Sequence, residues 1–272
     1  MVNCGDWPIG VCSWSLKGGT TELAKVKNEL GVEHLHLAMG PALGEDGRRY
    51  LSEIQKQGWI ISCAMIDFPQ EDYSTLESIK ETGGIVPDEF WGQNKERFIQ
   101  AVDITAELGV NFISMHAGFV KVGNSEYPGK IYRRMRFLAD EAASRSIKLL
   151  METGQETASE LKQFLQDVAH PALAVNFDPA NIILYDKGDP VESVRKLVPW
   201  IKHVHIKDAI RTEQPRTWGT EVPWADGEVG ADRFLQTLKK INYEGVLSIE
   251  RESGEDIMGD IIRVVEKLRR FG

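Results

Sequence analysis

The chain reads as α/β, a single-domain (β/α)8 TIM barrel, on three observations. Short apolar runs alternate with amphipathic stretches eight times between residues 9 and 269. A length of 272 residues suits one barrel of about 250 residues rather than a row of small domains. The Gly-x-Gly-x-x-Gly signature of a dinucleotide-binding sheet does not follow the first apolar run, which leaves an open doubly wound sheet as the lesser alternative. Strict alternation implies parallel strands joined by right-handed crossovers. No linker, low-complexity segment or repeat divides residues 1–272.

The eight strands are predicted at residues 9–15, 32–38, 59–66, 110–116, 147–152, 173–178, 201–208 and 245–250, as short apolar runs between turn signals. Helices are predicted at 21–30, 47–57, 94–108, 129–145, 157–168, 190–197, 232–241 and 255–269, and Gly31, Gly58 and Gly109 stop the first three. Residues 67–93, rich in Gly and Pro, read as an irregular connection longer than most. A second long loop covers 209–230. Both are lid candidates, because functional loops in such barrels follow the strands. Trp218, Pro223 and Trp224 in the second loop would exclude water there or pack against another subunit.

Composition limits the functions. Hydrophobic content of 42% and charged content of 27% are ordinary for a globular chain. A net charge of −9 and a pI near 5.3 argue against nucleic acid or an anionic membrane as partner, either of which calls for clustered Lys and Arg. Cys4, Cys12 and Cys63 are odd in number and widely spaced, so neither a disulfide framework nor a zinc knuckle is indicated. No leader-like segment or long apolar span occurs, and a cytoplasmic protein is the simplest expectation.

The strand ends carry the chemistry. In a barrel of this kind the active site lies at the C-terminal ends of the strands. Those ends read Trp14, His36, Asp67, His116, Glu152, Asp178, His205 and Glu250. A lone carboxylate at such a place most often caps a helix or begins a turn. Three carboxylates and an imidazole from four consecutive strands are a different matter. Glu152, Asp178, His205 and Glu250 crowded at one mouth would repel one another unless a cation sat between them. An oxygen-rich set with one nitrogen suits one divalent metal ion, Mn2+ before Mg2+, Co2+ or Zn2+. Such an ion polarises a carbonyl, and the neighbouring carbon can then lose a proton to a carboxylate. Glu152 and Glu250, on strands 5 and 8, would face a substrate from two sides as catalytic base and acid. On the seventh strand His203, His205 and Lys207 share one face.

The segments Met151-Glu152-Thr153, Asn176-Phe-Asp-Pro-Ala-Asn181, His203-Val-His-Ile-Lys-Asp208, Gly227-Glu-Val-Gly230 and Tyr243-Glu-Gly-Val-Leu-Ser-Ile-Glu250 together resemble the xylose isomerase-like TIM barrel family, the sugar phosphate isomerase/epimerase group that includes tagatose 3-epimerase, hydroxypyruvate isomerase and inosose dehydratase. The resemblance covers most of the second half, in the family's order. It implies that Glu152, Asp178, His205 and Glu250 bind the metal, with His205 rather than His203 as the ligand. Arg211, six residues after His205, matches a substrate-contacting arginine of the epimerases. Asn181 stands where those epimerases carry a histidine, and Glu156 is an approximate counterpart of a second glutamate. His116, Asn181, Lys207 and Arg211 are thus the expected substrate-binding residues. Lys207 would pair with a substrate oxygen or with Asp208, and Gly118 behind His116 would let the backbone approach a ligand.

The leading reading is a metal-dependent isomerase or epimerase acting on a keto sugar or related polyol ketone. A lyase or dehydratase acting on an inosose or 3-keto-glycoside shares the first step and is the alternative. Metal-dependent DNA cleavage needs more histidines than the six present, and a non-catalytic sugar-binding protein leaves the ligand set without purpose. The expected partner is a small sugar, and a homo-oligomer is open.

Overall fold

The computed structural model describes residues 1–120, 128–214 and 216–271. Eight parallel strands close into a barrel: β1 (Trp7–Cys12), β2 (His34–Ala38), β3 (Ile60–Met65), β4 (Phe112–Met115), β5 (Lys148–Glu152), β6 (Leu173–Phe177), β7 (Ile201–Ile206) and β8 (Leu247–Ile249). Closure comes from β8 pairing with both β7 and β1, with Leu247 opposite Val204 and Ile9, while β1 pairs with β2. The α-helices among the described residues are α1 (Gly19–Leu30), α2 (Gly47–Lys56), α3 (Leu76–Thr82), α4 (Trp91–Glu107), α5 (Pro128–Ala143), α6 (Ala158–Val168), α7 (Pro179–Leu184), α8 (Pro190–Leu197), α9 (Ala231–Lys240) and α10 (Ile257–Arg269).

Period-2 alternation sorts the strand side chains. Outward residues such as Ile9, Val11, Leu35, Ile113, Leu149, Val175, Val204 and Ile249 join helix residues Phe98, Phe164, Phe234 and Ile261 in one large buried cluster. Inward residues are unusual for a barrel. Besides a small apolar plug of Cys63, Leu150 and Ala174, the interior holds His36, Ser114, Asn176, His203, His205 and Ser248. Barrel interiors are mostly filled by branched apolar side chains, so each of these polar groups needs a partner. His203 has three: Nδ1 meets Asn176 Oδ1 at 2.9 Å, and Nε2 meets the hydroxyls of Ser62 and Ser248 at 3.1 Å. Its place one layer below the mouth is structural.

Local chemistry explains the element ends. Gly31 takes the left-handed conformation that closes α1. Thr157 and Glu160 form a capping box at the start of α6. The structure also corrects several expectations. Residues 13–15 are not strand but a 3-10 turn, Ser13–Ser15. The stretch read as irregular contains α3, started by a capping box of Thr75 and Ser78. The seventh strand ends at Ile206, after which Asp208–Ile210 pairs antiparallel with Thr220–Val222. That hairpin occupies part of the expected loop at 209–230. No helix among the described residues is long and apolar enough to cross a membrane.

Candidate active site

The ends of β5 to β8 deliver their side chains to one point. One ligand atom each from Glu152, Asp178, His205 and Glu250 lies within 4.8 Å of the others. His205 Nδ1 sits 2.8 Å from Glu250 Oε2, 3.5 Å from Asp178 Oδ2 and 3.6 Å from Glu152 Oε1. All four residues are buried, the most exposed at 5%. Three of the converging atoms, Asp178 Oδ2, His205 Nδ1 and Glu250 Oε2, make no well-aligned hydrogen bond and are left facing one another. Buried polar atoms are rarely left unpaired, and three orphans aimed at one centre, with the donor set O, O, O, N, fit a hard divalent cation.

The remaining lone pairs are held. Asp178 Oδ1 caps α7 by accepting the Asn181 N–H at 3.0 Å. Asn181 Nδ2 donates to Glu152 Oε1 at 3.1 Å, and Asn176 Nδ2 donates to Glu152 Oε2 at 3.0 Å. Trp14 Nε1 donates to Glu250 Oε1 at 2.7 Å. Each carboxylate is therefore oriented with one oxygen toward the centre.

Burial pushes Glu152 up to about 8, against the pull of His205. Burial acts the same way on Asp178 and Glu250, yet Lys207 and His205 outweigh it, bringing Asp178 to about 2 and lowering Glu250. Lys207 is the compensating cation. Its Nζ lies 2.6 Å from Glu252, 3.4 Å from Glu250 and 3.9 Å from Asp178. Asp208 is not its partner. The Asp208 carboxylate accepts backbone N–H groups of Ala209, Ala225, Gly227 and Val229 and knits the hairpin loop together.

A cavity of about 870 Å³ opens over this cluster, with Glu152, Glu250, His116, Asn181 and Lys207 in its wall. His116 Nε2 lies 3.6 Å from Glu152 Oε1, and its Nδ1 has no partner. Trp14 is both wall and donor. Asp67, Glu71 and Tyr73 from the first long connection and Trp218, Glu221 and Glu252 from the far side also face the cavity. Sequence reasoning singled out Asn176, Glu221 and Glu252 for no role. Asn176 was detectable by parity, two residues before Asp178 on the same strand face.

Other expected residues lie elsewhere. Arg211 does not line the cavity: its guanidinium bonds Asp186 and the Gly188 carbonyl, with Glu228 beside it. Glu156 turns away and accepts the Val120 N–H at 2.6 Å. Trp224 packs on Phe234 rather than over the site. Gly118 serves packing, since a Cβ there would sit 2.3 Å from the Gly83 carbonyl oxygen.

Comparison with known proteins agrees with this architecture. The family pattern described as "Xylose isomerase-like TIM barrel" matches residues 29–268, and the chain belongs to that family. A xylose isomerase domain protein from Planctomyces limnophilus superposes with a TM-score of 0.86 at 30% identity, covering 97% of both chains. A xylose isomerase-like TIM barrel protein from Mycobacterium smegmatis, solved in complex with magnesium, gives a TM-score of 0.74 at 19% identity, covering 100% of this chain and 98% of the other. Among curated relatives, an inosose dehydratase of Clostridium botulinum is 29% identical over 137 residues, 44% of this chain and 45% of that protein. The chain thus spans less than half the length of that relative.

Proposed function

We propose that the chain is a divalent-metal-dependent isomerase or epimerase of a keto sugar or related polyol ketone. The observation that carries this reading is the convergence of Glu152 and Glu250, both in the cavity wall, on the centre they share with Asp178 and His205. These four residues would hold the ion, for which Mn2+ is the best match among the ions such donors accept. When bound, the ion supplies Lewis-acid polarisation of a substrate carbonyl. The protein's own groups do the rest. One of the two glutamates removes the proton next to the carbonyl, and the other returns a proton on the opposite face. Asn181, Asn176 and Trp14 hold the two carboxylates in register for this exchange. His116 and Lys207 contact substrate oxygens, and the aromatic walls Trp14, Tyr73 and Trp218 limit water. Arg211 is left out of the proposed contacts because Asp186 and Gly188 hold it.

One specific observation favours a second reading. The curated relative is named an inosose dehydratase, and elimination begins with the same proton removal before a β-hydroxyl departs. Incubation of the Mn2+-loaded protein with ketoses and inososes in D2O separates the two. Epimerisation washes deuterium into the carbon next to the carbonyl without ultraviolet absorbance. Elimination yields an absorbing unsaturated ketone. Neither deuterium uptake nor a new absorbance with any substrate would contradict both.

A further inference from the structure

His205 has a second ring nitrogen, and its surroundings are as enclosed as those of the first. His205 Nε2 lies 2.9 Å from His36 Nδ1, and His36 Nε2 lies 2.9 Å from Ser114 Oγ. Ser114 Oγ in turn reaches the Ala64 carbonyl oxygen at 3.2 Å. All three side chains are fully buried at 0% exposure, and the Trp14 ring stands edge-on to both imidazoles. Bulk solvent does not reach these bonds.

With His205 neutral, as binding a cation through Nδ1 requires, two imidazoles facing each other at this distance must divide the roles, one donating and the other accepting. If His205 turns a lone pair at Nδ1 toward the carboxylates, its proton lies on Nε2 and His36 Nδ1 accepts it. The His36 proton then lies on Nε2 and is donated to Ser114 Oγ, whose own proton goes to the Ala64 carbonyl. Every donor in the row has an acceptor. In the reverse order His205 carries its proton on Nδ1, pointing into the cluster, and no lone pair remains there for a cation. Asn176 Nδ2, 3.1 Å from His205 Nε2, donates one hydrogen to Glu152 and faces Nε2 with the other, which favours the reverse order. The outcome therefore depends on a well-aligned acceptor opposite Nε2.

We propose that His36, anchored by Ser114, is a positioning residue that keeps His205 in the tautomer with Nδ1 free for the metal. The inference rests on the metal reading above and goes beyond it by assigning work to residues on β2 and β4, strands that carry none of the four candidate ligands. Metal-ligating histidines usually donate their other N–H to a carboxylate, a backbone carbonyl or water; here the acceptor is a second histidine. Cys12 Sγ lies 4.0 Å from His36 Nδ1, and Cys12, His36 and His205 could form a second cation site. The hydrogen-bond distance between the two ring nitrogens speaks for a shared proton instead.

The test is Mn2+ affinity by chelator competition in the whole protein and its His36→Phe, His36→Asn and Ser114→Ala variants, with circular dichroism as the folding control. Phe cannot accept, and affinity is expected to fall about 10- to 100-fold. Asn, whose Oδ1 falls near the place of Nδ1, is expected to restore most of that loss, and Ser114→Ala to fall between. Histidine 15N NMR of the parent loaded with Zn2+, a diamagnetic probe, is expected to show His205 protonated at Nε2. A folded His36→Phe variant with parental affinity would overturn the proposal. So would coordination through His205 Nε2, or two ions per chain with one lost on Cys12→Ser. The NMR result decides if His36→Phe fails to fold. A parent that binds no Mn2+ removes the metal reading itself, whereas undiminished binding in the variants removes only the role of His36.

Discussion

Glu152 carries the strongest conflict in the site: it is buried beside two other carboxylates and is held by two amides and two histidines. Replacing it or Glu250 by Gln keeps the shape and removes a basic oxygen. Either change is expected to lower kcat by 10²-fold or more, the range for a positioned acid or base, in steady-state assays on any substrate found. Turnover unchanged in both variants would contradict the assignment. Glu156 offers a pH test away from the ligands. Burial raises it to about 8, so its folded-state affinity for a proton exceeds the unfolded one. Its favourable contribution is complete below about 4.5 and is lost as pH rises towards 8. Urea unfolding at pH 5 and pH 8.5 should show Glu156→Gln gaining on the parent by a few kcal/mol at the higher pH; a constant difference would contradict the shift. At this scale the four residues that meet at the barrel mouth were readable, because each lies at the end of a strand whose bounds the apolar runs mark out. Glu221 and Glu252 were not, since their roles depend on which distant side chain they meet. Arg211 was misplaced because sequence spacing cannot reveal that Asp186 and Gly188 are its neighbours.

At the level of elements, the hairpin of Asp208–Ile210 and Thr220–Val222 brings Glu221 to Lys207 and Arg251. Asp208 holds its loop through four backbone N–H groups. Asp208→Ala leaves those donors without their acceptor and is expected to cost at least about 2 kcal/mol, measured by urea denaturation. A loss below about 0.5 kcal/mol, the level of a neutral surface change, would show that the loop is held by other means. Lys207 is expected to lose its fixed geometry as well, so weaker metal binding should accompany the loss. These elements escaped sequence reading for a physical reason. The hairpin strands are three residues each, too short for an alternation pattern, and α3 hides between Gly and Pro residues whose turn signals dominate. The barrel strands were visible because burial on one face demands a sustained apolar pattern.

Across the whole molecule, the barrel separates two tasks. Its outer face and helices form the apolar core that stabilises the fold, which leaves the interior and mouth free to hold buried histidines, an amide and carboxylates. Such a mouth is unfavourable when empty and gains from a cation, so metal should stabilise the whole chain. With Mn2+ at about one hundred times Kd, linkage gives about 2.7 kcal/mol, or roughly 5–10 °C in Tm for a domain of this size. Calorimetry should show the shift in the parent and its loss in His205→Ala; equal shifts in both would place the ion elsewhere. The central claim is tested most directly by anomalous diffraction from crystals soaked in MnCl2. A single peak ligated by Glu152, Asp178, His205 Nδ1 and Glu250 is the result the account predicts. A map without that peak, or with the ion bound by other residues, would contradict it.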